Sequence, residues 1–233
     1  MSLAIVLSLF LFSNPAAQSV YTQADFVTVN GDSLRQRFDA AVAQGRKDSG
    51  DTFWVAYEMS GRDNVRINSV DGIEVFQTAT PERVGMFLLV RKSDGAVERL
   101  RIVNLGYEIR VHDRKVYWLG KPGGDDSAAL LLSLARTSAS TQVKKDAVFW
   151  LGQEISRLAG EALQDIANSD PEVEVQKQAV FAISQRRNDE SITWLMRIAR
   201  EHANPAVRQQ AIFWLGQKRD PRVLDFFEQL LKK

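Results

Sequence analysis

Two basic pairs are the clearest residues whose type and spacing suggest chemistry. Arg186-Arg187 and Lys218-Arg219 stand 32 residues apart, in corresponding turns of a repeated pattern. Aligned along one edge, these four cations would attract an acidic protein or an anionic lipid headgroup. Asp189, Glu190 and Asp220 lie beside the pairs and would cancel much of that field. The pattern therefore favours an ordinary solvated edge, with an anion-binding edge as the alternative.

Other groups with catalytic potential lack the neighbours that catalysis needs. His112 and His202 are not spaced as metal ligands or as members of a hydrolytic triad. The pair Asp125-Asp126 could do acid–base work, yet it also suits an ordinary helix N-terminus and would repel phosphate from the turn at Gly123-Gly124. The sequence contains no nucleophile elbow, phosphate-binding loop or dinucleotide motif. It therefore predicts neither a cofactor nor a metal and gives no support for an enzyme.

The composition excludes several further classes of protein. The chain is 45% hydrophobic and 25% charged, as soluble globular proteins are. Its 30 Lys and Arg against 29 Asp and Glu argue against a nucleic-acid partner, which would need a basic surface. Cysteine is absent, which rules out disulfides, thiolate metal sites and lipid attachment through a cysteine.

The first residues resemble a targeting segment in composition. The apolar run at residues 3–12 is too short to cross a hydrocarbon layer of about 30 Å as a helix. Ala17-Gln18-Ser19 fits a small-x-small cleavage site, so we expect a signal peptide over residues 1–19 and an exported bacterial protein, periplasmic or secreted, without stable membrane insertion. Only Met1-Ser2 precedes the run, without a cation, and this leaves an ordinary buried segment as the alternative.

Residues 20–120 have the patterns of a small α+β domain with a mainly antiparallel sheet. Apolar residues at helical spacing predict a helix from Ser33 to about Lys47. Aromatic and β-branched residues predict a strand from Phe53 to Met59. Weaker strand patterns follow at residues 65–68 and 72–76.

Two hairpins are expected in the same half. The dipeptide Asp94-Gly95 favours a two-residue turn, and that turn would place Leu89 opposite Leu100 and Phe87 opposite Ile102. It would also bring Arg91 opposite Glu98.

The second hairpin has a competing interpretation. It would join residues 107–111 to residues 115–119 through Asp113-Arg114, because apolar and charged residues alternate on its first strand. The alternative is a degenerate first helical repeat over residues 111–121, since Val116–Gly120 matches Val148–Gly152 except that Tyr117 stands in place of Phe149.

One sequence motif, which we call the phrase, occurs three times in the C-terminal half. It occupies residues 143–153, 175–185 and 207–217, and a second apolar helix pattern recurs at the same 32-residue offset. A period of this length predicts stacked helix pairs that share a continuous core. After a linker at residues 121–126, we expect about three and a half helix pairs over residues 127–233. The middle copy departs from the phrase at Ala182 and Ser184, where the others have Trp and Gly, and we expect it to pack differently.

The run Asn-Pro-x-Val-Arg-x-x-Ala-x-x-x-Leu-Gly at Asn204–Gly216 resembles the HEAT-like repeats of phycobilisome lyases. The resemblance implies a short α-solenoid that acts as a protein-binding scaffold or adaptor. It also leaves open a lyase or chaperone-like factor for a bilin or haem-type ligand. A third hypothesis makes the N-terminal sheet the binding module and the repeats a spacer.

We expect a monomer whose second helices line the concave face and bind another protein. The phenylalanines and tryptophans of the phrase, together with Trp194, are expected to serve mainly as packing residues. Trp194 is also a candidate contact residue. The candidate partner-binding residues are Glu161, Gln164, Asp165, Thr193, Trp194, Met196, Arg197, Arg200, Asp225 and Glu228.

Overall fold

The computed structural model describes residues 20–21, 25–59, 83–106, 109–111, 114–154, 156–186 and 189–232. The strands are β1 (Val20–Tyr21), β2 (Val27–Thr28), β3 (Thr52–Met59), β4 (Val84–Arg91), β5 (Val97–Asn104), β6 (Ile109–Arg110) and β7 (Val116–Trp118). The helices are α1 (Leu34–Gly45), α2 (Gly124–Thr137), α3 (Thr141–Gln153), α4 (Arg157–Ser169), α5 (Val173–Gln185), α6 (Asp189–Glu201), α7 (Pro205–Gly216) and α8 (Pro221–Leu231). None of these helices is long and apolar enough to span a bilayer.

The N-terminal half is α+β, as predicted. Its main sheet has the order β2-β7-β3-β4-β5 and is mixed, because β3, β4 and β5 are antiparallel while β7 runs parallel to β2 and β3. The predicted helix is α1. Ser33 begins it by accepting a hydrogen bond from the Gln36 N–H at 3.2 Å, a common N-cap arrangement. Leu34 and Phe38 on its apolar face are buried in the core.

The first hairpin forms, but its predicted register is wrong by one residue. Leu100 lies opposite Leu88 and not opposite Leu89. The turn is longer than two residues: the Gly95 N–H donates to Arg91 O at 2.9 Å, and β5 contains a bulge at Glu98, opposite Leu89 and Val90 of β4. An extra residue on one strand shifts the pairing that follows it. The expected ion pair between Arg91 and Glu98 is present, with Nε and Oε1 2.7 Å apart.

The second hairpin is wrong, and so is its alternative. β6 pairs with β1 in a separate small sheet, whereas β7 inserts into the main sheet beside β3. Val116, Tyr117 and Trp118 are all buried. A continuous apolar run is typical of a strand covered on both faces, and in a short segment it resembles a buried helix. The weaker strands predicted at residues 65–68 and 72–76, and residues 1–19, lie outside the described residues.

The C-terminal half is a stack of helix pairs, as the period predicted. The tightest antiparallel pairs are α2 with α3, α4 with α5, and α6 with α7, and α8 follows them. The half pair of the expected series therefore stands at the C-terminal end of the stack and not at its start. The sequence alone does not show which neighbouring helices form a pair, because a two-helix repeat has the same period whichever helix is counted first.

The sheet and the first repeat share one core. The same cluster of buried residues contains Leu34 of α1, Leu88 of β4, Leu131 of α2 and Leu151 of α3. The inner face of the sheet is thus covered by α1 and by the first helices of the stack. The domain boundary at residues 121–126 stays a prediction, since the packing is continuous across it.

A buried series of hydrogen bonds crosses the junction between the sheet and the first repeat. Ser127 Oγ lies 3.2 Å from the Tyr57 hydroxyl and 2.5 Å from Glu154 Oε1. The serine has one hydrogen, and an ionised carboxylate only accepts, so Tyr57 donates to Ser127 and Ser127 donates to Glu154. Burial raises the pKa of Tyr57 and keeps its hydroxyl protonated. These hydrogen bonds therefore link the sheet to α2 and to the end of α3.

Candidate functional site

The first helix of each copy of the phrase lies in one closely packed row. α3 packs directly on α5 and α5 on α7. The approach of α3 to α5 depends on a small pair: a Cβ placed on Gly152 would lie 2.8 Å from the Cβ of Ala182. Ala182 is completely buried. It replaces a tryptophan of the phrase because α3 leaves no room there, so the expected difference of the middle copy is confirmed.

The second helices are farther apart. α6 and α8 approach each other at few points, and α4 and α6 at fewer still. We call the closely packed helices α3, α5 and α7 the inner row and α2, α4, α6 and α8 the outer row. The small residues that permit close packing are on the first helices. That the second helices line the concave face stays a prediction.

The predicted partner-binding residues all lie on the outer row, on α4, α6 and α8. Gln164, Trp194 and Met196 are half-buried and the others are exposed. We call this surface the polar strip. Its residues are Glu161, Gln164, Asp165, Thr193, Trp194, Met196, Arg197, Arg200, Asp225 and Glu228.

Several side chains of the polar strip are bonded from one helix to the next. The Arg136 guanidinium of α2 lies 2.6 Å from Asp165 Oδ2. Arg197 donates to Gln164 Oε1 at 2.5 Å, which links α6 to α4. Arg200 stands over the ring of Phe226 in α8, 5.2 Å from its centroid, as in a cation–π contact. Long side chains thus link neighbouring helices of the outer row.

Trp194 serves mainly as a packing residue, as the sequence favoured. It is half-buried against the core. Its Cη2 atom would lie 3.0 Å from a Cβ on Gly160, so the indole covers the glycine of α4 directly. Its remaining exposed edge is part of the polar strip.

The aromatic residues of the phrase divide into two groups. Trp150 and Trp214 pack against the core, as predicted. The phenylalanines do not lie in the core, since Phe149 and Phe181 are half-buried and Phe213 is 55% exposed. Sequence reasoning placed them wrongly because an aromatic position repeated at the period of a stack is usually an interhelical core position.

The rings form a continuous line along the inner row. Phe149 and Phe181 stack with centroids 6.0 Å apart and planes at 13°. Phe181 and Trp214 are 4.9 Å apart, and Trp214 meets Phe213 edge-on at the same distance. We call Phe149, Trp150, Phe181, Phe213 and Trp214 the aromatic stripe.

The predicted basic edge does not form as expected. Arg186 is buried, and its two Nη atoms donate to Glu154 O at 3.0 Å and to Ser156 O at 3.2 Å. Lys218 donates to Ser184 O, and burial lowers its pKa. Arg186 therefore binds carbonyls of the turn between α3 and α4, and Lys218 binds a carbonyl in the last turn of α5, where acceptors lack partners within the helix. Arg219 is exposed, and Arg187 lies outside the described residues.

His202 has a role that sequence reasoning missed. Its Nε2 lies 3.0 Å from Ala167 O, while its Nδ1 accepts from the Asn204 N–H at 3.0 Å. A neutral ring with its hydrogen on Nε2 satisfies both contacts. The side chain joins the ends of neighbouring repeats and is buried, so it is a structural residue. His112 lies outside the described residues.

Comparison with known families agrees with the geometry of the stack. Residues 160–233 match the family model for HEAT repeats. The match begins in α4 and extends over the rest of the stack. No curated protein is similar enough to count as a match. HEAT repeats are in general protein-interaction scaffolds, and the C-terminal half of this chain carries repeats of the HEAT type.

Proposed function

We propose that this protein is a monomeric, non-catalytic scaffold or adaptor that binds another protein through the polar strip. The observation that carries the proposal is the continuity of the strip across successive outer helices. Bonds such as Arg197 to Gln164 hold its side chains in place before a partner arrives. Pre-organised side chains lose less entropy on binding, which favours affinity.

The chemistry of the polar strip suits a partner with both charge signs. Acidic side chains such as Glu161 and Asp225 alternate along it with the cations Arg197 and Arg200, and all four are exposed. Met196 adds a half-buried apolar anchor. Specific interfaces between separately folded proteins combine a few apolar anchors with a polar surround in this way.

The test is affinity capture with the full-length chain carrying Met196→Ala and Arg197→Glu. The core is continuous between sheet and repeats, so the halves are not separated. We expect a bound protein to be reduced about tenfold or more relative to wild type, as for truncation of an interface anchor. The control is Arg219→Glu, a charge reversal at an exposed position outside the strip. Equal capture by all three proteins would contradict the assignment of the strip.

We also propose that the protein acts outside the cytoplasm. Support comes from the apolar run at residues 3–12 and the small-x-small site ending at Ser19. N-terminal sequencing of the protein from its native cells should place the mature start near Val20, in the periplasmic or secreted fraction. An intact Met1 in the cytoplasmic fraction would contradict export.

A further inference from the structure

Helices α7 and α8 expose apolar positions that are buried in the preceding repeats. Val148 and Val180 are completely buried, whereas their counterpart Ile212 in α7 is 39% exposed. In the outer row, Ile192 of α6 is 8% exposed and its counterpart Leu224 in α8 is 69% exposed. The residue is apolar in each case, so the difference comes from the neighbours. Among the described residues, no helix covers these positions of α7 and α8.

Two glycines show which neighbours cover these positions in an earlier repeat. A Cβ placed on Gly152 of α3 would lie 2.8 Å from the Cβ of Ala182 in α5. A Cβ placed on Gly160 of α4 would lie 3.0 Å from Cη2 of Trp194 in α6. Both positions therefore face the next pair of helices. Their counterparts 64 residues later are Gly216 and Leu224.

The counterparts in α7 and α8 form an uncovered surface. A Cβ placed on Gly216 would have nothing within 4 Å. Leu231 is 88% exposed, although its counterpart Ala199 is buried. Ile212 and Gly216 are four residues apart, and Leu224 and Leu231 are seven apart, so each pair shares one side of its helix. We call Ile212, Gly216, Leu224 and Leu231 the end face.

We propose that the end face binds one amphipathic α-helix of another protein. The stack itself selects a helix, because α5 packs against both α3 and α4, and α7 packs against both α5 and α6. A helix bound to α7 and α8 repeats this arrangement and gives the half pair its partner. Binding of an amphipathic helix by an apolar groove is a general mode of recognition. The site is a second binding surface, so the inference goes beyond the proposed function.

Helix α7 shows which side chains the bound helix must carry. Val207, Ala211 and Leu215 are completely buried, although another side of α7 is exposed, so these residues face the preceding helices. The buried residues at the same positions of α5 are Val175, Ala179 and Ile183. The bound helix therefore needs the spacing Val-x-x-x-Ala-x-x-x-Leu or Ile along one side.

Charged contacts determine the direction of the bound helix. Lys144 Nζ, near the start of α3, lies 2.7 Å from Oε1 of Glu172, which precedes α5. Arg208 holds the position of Lys144 in α7. At the other end of the helices, Lys218 donates to Ser184 O of α5. A helix with an acidic residue before its start and a cation after its end makes both contacts with α7.

A second copy of this chain does not supply such a helix. Leu131 of α2 and Leu151 of α3 share a core with Leu34 and Leu88 of the N-terminal half. The first helices of the stack are therefore already covered and cannot pack on the end face of another molecule. In α5 and α7, the side that carries the required spacing is buried within the stack. The occupant is therefore a helix of a different protein.

The experiment titrates the full-length protein with a synthetic peptide that copies residues 172–187. The peptide contains the α5 spacing, begins with Glu172 and has a cation, Arg186, after the helix. It contains no tryptophan, so a change in tryptophan fluorescence reports on the protein. The control peptide has Ala179→Glu, which places a charge on the binding side. We expect saturable binding of the first peptide and at least about tenfold weaker binding of the control, as for loss of an interface anchor.

Two variants of the protein test the assigned surface. Gly216→Leu places a side chain where the bound helix approaches most closely, and Leu224→Glu places a charge on the apolar surface. Each should weaken peptide binding about tenfold or more. Both positions are exposed, so Tm should change little. Gln44→Glu introduces the same charge at an exposed position of α1 and should leave binding unchanged.

Four results would overturn the inference. They are the absence of saturable binding, equal binding of the control peptide, binding that either end-face variant leaves unchanged, and self-association that Leu224→Glu abolishes. Sedimentation of the protein without peptide tests the last of these, which would assign the end face to a second copy. The polar-strip variant with Met196→Ala and Arg197→Glu should still bind the peptide, so failure of one proposal is distinguishable from failure of the other.

Discussion

The inner and outer rows of the stack have the same 32-residue period but different physical tasks. On the inner row, helices touch, and the contact requires small residues such as Gly152 and Ala182. On the outer row, the backbones of α4, α6 and α8 approach each other at few points, and long side chains such as Arg197 link the neighbouring helices. The difference shows that repeated positions of the inner row are constrained by packing, whereas outer positions are free to carry a binding surface.

The largest effect is expected when the hydrogen bonds of the buried Arg186 are removed. Arg186→Met removes the donors to Glu154 O, which is buried, and to Ser156 O, which is partly buried. Two lost charge-assisted hydrogen bonds should lower the free energy of unfolding by about 3 kcal/mol. Urea denaturation measures the change. Arg219→Met, one repeat later and exposed, should change stability by less than about 0.5 kcal/mol. Equal losses of unfolding free energy in the two variants would show that the buried contacts of Arg186 do not contribute to stability.

The next effect tests the close approach of α3 to α5. Gly152→Ala should destabilise the protein by about 1–3 kcal/mol, because the new methyl group meets the Cβ, Cα and carbonyl of Ala182 within 3.2 Å. Gly216 holds the same position in the last copy and has nothing within 4 Å. Gly216→Ala should therefore be neutral or stabilising by up to about 1 kcal/mol, the gain in helix propensity. If both variants changed Tm in the same direction in thermal denaturation, the difference in packing around the two glycines would be contradicted.

A smaller effect concerns pH and the contact between the starts of α3 and α5. Glu172 accepts from Lys144 Nζ at 2.7 Å and from the Thr141 hydroxyl at 2.5 Å, which lowers the pKa of Glu172. The stabilisation is therefore present above the pKa of the unfolded state and is lost as pH falls through the folded pKa. Glu172→Gln should lower Tm at neutral pH, and its difference from wild type should shrink in acid. A constant difference at all pH values would exclude an ionic contribution.

The smallest effect is expected on the outer row. Arg136→Ala removes the ion pair with Asp165, whose partners are both more than half exposed. Exposed pairs contribute about 0–1 kcal/mol, so Tm should change little. High salt should make wild type and variant indistinguishable in thermal denaturation. A loss as large as that of Gly152→Ala would mean that the outer row, too, is constrained by packing.

Predictions from the sequence succeeded where the physical cause is local. The turn of the first hairpin brings Arg91 to Glu98 because both lie within a few residues of Gly95. The register farther along β4 depends on a bulge, and it was wrong by one residue. The positions of the polar strip were predicted as surface residues from helical spacing alone. The basic residues Arg186 and Lys218 were misplaced because their carbonyl partners are 30 or more residues away.

The sequence by itself determined the period, the helical character of the C-terminal half and the α+β character of the N-terminal half. Each follows from the spacing of apolar residues along one segment. Only the tertiary structure decided which helices form the inner row, where the half pair stands and which strands flank β7. These features depend on contacts between distant segments, and a periodic sequence is compatible with more than one of them. The exposure of Phe213, at a position that looked like core, is the clearest consequence.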